Sequence, residues 1–284
     1  MRSLSAPSIA LALAATAISA CDDGGKLSEQ KAADACAKLV PVVTADAAQV
    51  RRGLPIGAAK LGGLVDADPG ANPAALQRAI AAARAAVLDL AVAKSTFFSF
   101  ADPSGVVQRS EADPDLLAHH SVFAAFPPLK KALDPSSGVV EIFGEMPEMR
   151  GVRSGPDHNW VVAHAVKDPK GDLKGLFVTG WSFRRFAYHL EETAKRDVVE
   201  AAKQSGRPAP LLYAFALKGA KVYGAPLTPD IDAAALEKLD LLGKAASAPW
   251  RGRVEITGRM YGVAASRTPD LAADTGVAVI MSEI

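Results

Sequence analysis

Cysteine is scarce: Cys21 and Cys36 are the 2 in 284 residues, so neither a disulfide framework nor a cysteine-based metal cluster can hold the fold together. Long hydrophobic runs are also lacking. The apolar stretch Ile9 to Ile18 is about half of the ~20 residues needed to cross a bilayer, and no later segment approaches that length. An excess of one charge is missing as well: 32 Lys and Arg face 31 Asp and Glu, with no block of five like charges, which argues against a nucleic-acid partner. What is present is a chain 49% hydrophobic and 22% charged, with 23 Gly and 19 Pro. It is too apolar for disorder and too punctuated for a coiled coil. The length suits one large domain or two modest ones, and two is the expectation.

The N-terminus has the anatomy of a secretory signal: Arg2, then the apolar stretch, then small residues. Ile18-Ser19-Ala20-Cys21 resembles the bacterial lipobox, in which the cysteine receives diacylglycerol and becomes the mature N-terminus. This resemblance implies a signal peptide over 1–20, lipidation at Cys21 and a lipid-anchored protein in the cell envelope, facing the periplasm. Removing 1–20 deletes Arg2 and no other charge, leaving a formally neutral chain. Residues 21–26, with Asp22, Asp23, Gly24 and Gly25, read as a flexible tether. Cys36 then has no intramolecular partner and is expected on a helix as a small buried residue.

Residues 27–94 are Ala-rich and helical in period. Pro41, Gly53, Pro55 and Gly62-Gly63 are expected to break this region into pieces, before one clean helix from Pro73 to about Ala93, capped by Asn72. Strand patterns follow at 95–101 and 106–109, joined by Asp102-Pro103-Ser104-Gly105. Short helices are expected over 113–133, and strands again at 139–143, 160–167 and 173–181. Ser182 caps a helix running towards Lys203. The order then partly repeats: short strands at 211–217 and 221–223, a helix at 232–242, and three strands at 253–256, 259–266 and 277–281. The fold class is thus α+β: N-terminal helices, then two antiparallel sheets of about five strands, one in residues 95–205 with its connecting helix and one in 206–284.

This arrangement resembles the double Cache domain, the PAS-like extracytoplasmic sensor region of many bacterial receptors. The resemblance rests on Phe100-Ala101-Asp102-Pro103-Ser104-Gly105-Val106-Val107, on Trp160-Val161-Val162, on Asp168-Pro169-Lys170-Gly171 and on Gly175 to Gly180. It covers roughly residues 73–284. The family's Arg-x-Trp-Tyr amine-recognition motif is absent, so no ligand identity is inherited. No second membrane-spanning run or cytoplasmic output module follows, so the resemblance implies signal transduction through a separate membrane receptor or kinase.

Read by twos, Trp160, Val162 and His164 share one strand face, and Phe177, Thr179 and Trp181 share one face of the next. The smaller faces, Val161-Ala163-Ala165 and Leu176-Val178-Gly180, are expected against the Ala-rich helix. The larger faces are expected in a pocket roofed by 113–133, with Arg150, Arg153, Asp157 and His158 in the adjoining loop. Two arginines beside an aromatic wall fit a small organic, anionic ligand. The candidate ligand-binding set is therefore Arg150, Arg153, His158, Trp160, His164, Phe177, Thr179 and Trp181. The same aromatics also suit a filled core, and both readings stand.

Chemistry is sparse elsewhere. His119 and His120 are adjacent and point about 100° apart on a helix, and no His-Glu-x-x-His, Cys-x-x-Cys or Gly-x-Ser-x-Gly pattern occurs. Gly62-Gly63 lacks the ending of a phosphate loop. No enzyme activity, catalytic residue, metal site or cofactor is expected. Two functions remain: a ligand-binding sensor lipoprotein, and a structural or assembly lipoprotein using the same fold as an interaction surface.

Overall fold

A computed structural model describes residues 23–66, 68–146 and 157–282. The signal peptide and Cys21 lie outside the described residues. So do Arg150 and Arg153.

Helix α1 (Asp23–Gly62) is a single helix of 40 residues, about 60 Å long at 1.5 Å per residue. It begins within the expected tether and runs unbroken through Pro41 and Pro55, where interruptions were expected. The reason is a buried stripe that continues in register past both prolines: Ala32, Cys36, Leu39, Val43, Ala47, Val50, Leu54, Ala58 and Leu61. Each proline removes one backbone hydrogen bond and costs about 3 kcal/mol in a helix interior. Burial of the stripe against both sheets outweighs that cost. Cys36 is buried within it, its Sγ 3.6 Å from Ser266 Oγ, and burial pushes the thiol up to about 11.

The helix expected from Pro73 to Ala93 is instead two, α2 (Pro73–Ala85) and α3 (Leu88–Val92). Asn72 caps α2 as expected, accepting from the Ala75 N–H at 3.0 Å. The break falls at Val87, a β-branched residue in extended conformation. It swings Leu90 over Gly53 and Gly57 of α1, where an added Cβ would lie 2.8 and 2.6 Å from the Leu90 side chain.

Two five-stranded antiparallel sheets follow with identical connectivity. The first is ordered β2-β1-β5-β4-β3 and consists of β1 (Phe97–Ala101), β2 (Val107–Ser110), β3 (Val140–Met146), β4 (Asp157–Lys167) and β5 (Leu173–Ser182). Between β2 and β3 the chain forms α4 (Val122–Ala125) and a 3-10 turn (Pro127–Leu133), which roof one face. The connecting helix α5 (Phe183–Ser205) leads to the second sheet. That sheet comprises β6 (Leu212–Lys218), β7 (Lys221–Gly224), β8 (Trp250–Ile256), β9 (Arg259–Arg267) and β10 (Thr275–Met281), roofed by α6 (Asp230–Glu237) and α7 (Leu241–Lys244). The aspartates of the two turns that carry the resemblance do the same work. Asp102 Oδ1 accepts from the N–H groups of Ser104 and Val106, and Asp168 Oδ1 from those of Lys170 and Asp172. Such Asx contacts set the turn without help from the core.

One continuous core joins α1, α2, α3, α5 and one face of each sheet, while each roof closes a smaller core of its own. Close approach at both ends of α1 depends on glycine. A Cβ on Gly62 would meet the Lys167 carbonyl oxygen of the first sheet at 1.8 Å, and one on Gly262 of β9 would meet the Ser28 backbone at 2.2 Å. Since backbone atoms cannot step aside as a side chain tip can, Gly62→Ala and Gly262→Ala should each lower stability by roughly 1–3 kcal/mol, the range for overpacking. Chemical denaturation of each variant measures this, and an unchanged midpoint for both would contradict the packing described.

Candidate functional site

The faces of the first sheet are the reverse of expectation. Trp160, Val162, Phe177 and Trp181 belong to the core shared with α1, and Val161, Ala163, Leu176 and Val178 face the roof, against Phe126, Leu129 and Ala132. The physical reason is volume complementarity. Native packing density leaves no voids, so a helix presenting Gly57, Ala47 and Ala58 needs large partners, whereas the roof brings its own large side chains. Phe177 lies 3.0 Å from where a Gly57 Cβ would sit.

The predicted site residues consequently disperse. Trp160 is fully buried; its indole donates to Glu141 at 3.0 Å and its ring packs 4.3 Å from that of Trp181, which stacks on Phe186 of α5 at 3.9 Å. Thr179 is buried and donates to the Phe97 carbonyl at 2.7 Å. His164 is half-buried, its Nδ1 2.9 Å from the Ala165 carbonyl, at a cleft shared with Pro55 and Lys167. His158 lies between the modules, 5.3 Å from Phe183 and 5.8 Å from Tyr223 of β7. Burial, then the Lys218 charge, holds it below the ordinary histidine range.

The polar groups on the roof side gather at one end of β4 and β5. Asp157 and Asn159 are completely buried there, and Asn159 pairs across the sheet with Ser182. The Asn159 amide donates to the Asp157 carbonyl at 2.8 Å, while its own Oδ1 has no partner among the described residues. The Ser182 hydroxyl donates to the Asp157 carboxylate, and the same oxygen caps α5 by accepting from the Arg185 N–H at 3.2 Å. Asp157 also accepts from the Arg184 N–H at 3.4 Å. Burial raises the Asp157 carboxyl above its ordinary value, and the Ser182 hydroxyl and the Arg184 N–H pull it partly back. The arrangement is a buried acid wired to the first turn of the connecting helix. Among the described residues, the roof-side cluster of the second module is apolar, built from Phe215, Leu217, Val263, Ala278 and Ile280 among others.

Two further clusters escaped the sequence reading. Arg51 of α1 binds both Glu141 oxygens, at 2.7 and 2.8 Å, and donates as well to the Asp270 and Leu271 carbonyls of the second module. Thr44 secures Asp270 from the same helix at 2.9 Å. Ninety residues separate Arg51 from Glu141, and no local pattern could have paired them. Asp46 interrupts the apolar stripe of α1, the one signal that could have singled it out. One oxygen accepts from the Lys94 N–H at 2.7 Å, and the other has no partner among the described residues. The Trp181 indole N–H lies near enough to lower its pKa without closing a full hydrogen bond, but burial dominates and pushes Asp46 up to about 6. Among the described residues no three His, Cys, Asp or Glu side chains are grouped as metal ligands.

No protein-family profile matches the sequence, and no curated protein sequence matches it either. Solved structures do resemble it. The extracellular domain of a protein described as a histidine kinase, vpHK1S-Z8, aligns with a TM-score of 0.53 at 10% identity over 91% of this chain and 92% of that one. Methyl-accepting chemotaxis protein X aligns at 0.52 and 12% identity over 92% and 99%. An extracellular ligand binding receptor from Desulfohalobium retbaense aligns at 0.49 and 10% identity, covering 88% of this chain but 39% of that longer one. The fold is that of double Cache sensor domains: α+β, with a long N-terminal helix and two five-stranded antiparallel sheets. No described helix is long and apolar enough to cross a membrane.

Asp46 yields a pH prediction. Its folded-state pKa of about 6 lies above the ordinary 3.8, so the folded protein holds this proton more tightly than the unfolded chain. The stability this confers is fully present in acid and is lost as pH rises through about 6. Relative to Asp46→Asn, the wild type should lose about 2 kcal/mol between roughly pH 4 and pH 7.5. Other titrating groups are common to both proteins and cancel. Urea unfolding curves at the two pH values provide the comparison, and a pH-independent difference would refute the assignment.

Proposed function

We propose that this chain is a lipid-anchored, extracytoplasmic sensor that binds a small organic ligand in its first module and passes its state to a separate membrane receptor or kinase. The observation that carries this reading is the Asp157–Ser182 pair. A buried carboxyl on the roof side of the first sheet accepts from Ser182, whose hydroxyl is the N-cap of the helix leading to the second module. Burying such a group without full compensation costs stability, so its presence calls for a use. Arg150 and Arg153 precede it closely in sequence and are the proposed cations for a carboxylate-bearing ligand. Trp160, Phe177, Thr179 and Trp181 act in this reading from behind the sheet, as its support, and His158 as a contact to the second module. The fold shared with extracellular sensor domains supports the class of function, and no enzymatic role is assigned.

The second reading, a non-enzymatic structural or assembly lipoprotein, draws on a specific observation as well. The roof packs directly on Val161, Ala163, Leu176 and Val178, so the space an open pocket would need is filled by the protein's own side chains.

A thermal-shift screen of the full protein against small organic acids, amino acids and amines separates the two, because a ligand that binds only the folded state must stabilise it. The sensor reading expects a stabilising organic acid whose effect is lost in Arg153→Ala and Asp157→Asn. It expects Trp160→Phe to lower the melting temperature while leaving ligand affinity unchanged. A screen without any stabilising compound would favour the assembly role.

Anchoring is tested separately. The wild type should incorporate labelled palmitate and partition into detergent, and Cys21→Ser should do neither. Unlabelled wild type would remove the lipid anchor from the proposal.

A further inference from the structure

One end of the second module gathers features that its core does not need. Leu212, Met281, Gly262 and Arg253 lie side by side across β6, β10, β9 and β8. The start of α1 crosses the sheet at this level, with the Ser28 backbone against Gly262. Beyond this row the chain projects three exposed apolar side chains: Leu27 of α1 (44% exposed), Leu211 before β6 (37%) and Met260 beside the β8–β9 turn (49%). Isolated exposed hydrophobics are ordinary, but three from separate segments at one end of an elongated molecule are not explained by packing.

The same end carries charges of both signs, and two of its arginines form no ion pair among the described residues. These are Arg259 at the β8–β9 turn and Arg207 in the segment before β6. Lys26 adds a third positive charge, while Glu255 opposite Met260 and, in sequence, Asp22 and Asp23 carry the other sign, and Arg253 is paired with Glu29. The turn itself, Thr257-Gly258, has positive φ at both residues, 50° and 77°, which makes it a tight, protruding loop.

We propose that this end is a bilayer-contact surface, with Leu27, Leu211 and Met260 entering the headgroup boundary and Arg207 and Arg259 pairing with anionic lipid phosphates. The inference rests on lipidation of Cys21 and adds the surface that meets the membrane. Asp23 opens α1 two residues after Cys21, and two extended residues span at most about 7 Å, so acyl chains on Cys21 hold this end against the bilayer. Amphipathic side chains of this kind suit an interface with apolar acyl chains below and phosphates above. The opposite end of α1, where Gly62 meets Lys167, lies about 60 Å along the helix from Asp23, and the first sheet meets the helix from Asp46, beside Trp181, roughly 35 Å along it.

The test uses the full acylated protein in vesicles containing about one phosphatidylglycerol in three lipids, close to an anionic leaflet. Met260→Cys and, separately, Lys170→Cys in the β4–β5 turn receive an environment-sensitive NBD label; Cys36 is buried and its thiol lies near 11, so it stays unlabelled. Vesicle flotation first establishes anchoring. With the protein floating, the label at 260 should brighten, shift to the blue and be quenched by spin-labelled lipid, while the label at 170 should do none of these. Replacing both Arg207 and Arg259 with Ala should reduce the shift at 260 in anionic vesicles. Flotation without a response at 260 would overturn the surface and spare the anchor; failure to float would overturn the anchor itself. A shift at 260 that grows with protein concentration in lipid-free buffer, seen in the Cys21→Ser background, would reassign the surface to contact with a second copy of the chain.

Discussion

The close contact of α1 with both sheets is the constraint on which the rest of the structure depends. A helix of small residues allows the sheets to approach until backbone touches backbone, at Gly62 against Lys167 and at Gly262 against Ser28. The volume that the helix does not fill must then come from the sheets. Trp160, Phe177 and Trp181 supply it in the first module, and Leu212, Val279 and Met281 in the second. Dense packing turns this into one continuous core shared by the helix and a face of each module, beside the smaller core under each roof.

Polar contacts superimpose direction on that core. Arg51 spans from α1 to Glu141 in the first module and to the backbone at 270–271 in the second, so displacement of β3 is felt by both partners. A bidentate, partly buried arginine–carboxylate pair is orientation-specific in a way apolar packing is not. Asp157 is linked to α5 through Ser182, and His158 beside it stacks on Tyr223 of the second module. The polar end of the first sheet therefore has two physical routes to its neighbour: the N-cap of a 23-residue helix and an aromatic contact. Coupling needs such contiguous elements, although only an element with two arrangements can transmit a state.

Most strands were legible because their signals are local. Asp102 and Asp168 set their turns with their own carboxylates, and period-two patterns place the strands on either side within a few residues of their positions. Ser182 and Asn72 were legible as caps for the same reason. The helical region was less so. Pro41 and Pro55 carry a strong local preference for a break, and a stripe of buried residues overrides it only because sheets lie underneath. At Val87 the override runs in the other direction, since Leu90 reaches Gly53 and Gly57 only if the helix is broken.

Amino-acid order alone determined the alternation of faces, the caps, the turns and the repetition of the five-strand pattern, because each depends on residues within a few positions of one another. It also marked Trp160, Phe177 and Trp181 as one face. Which way that face points was decided only in the tertiary structure, since volume complementarity is a property of two surfaces and neither surface is visible from the other's sequence. The same holds for Arg51 with Glu141, and for the carboxyl of Asp46, whose elevated pKa exists only once α1 is covered. Local chemistry writes the elements; long-range packing chooses which of their faces meet, because burial is paid for jointly by both.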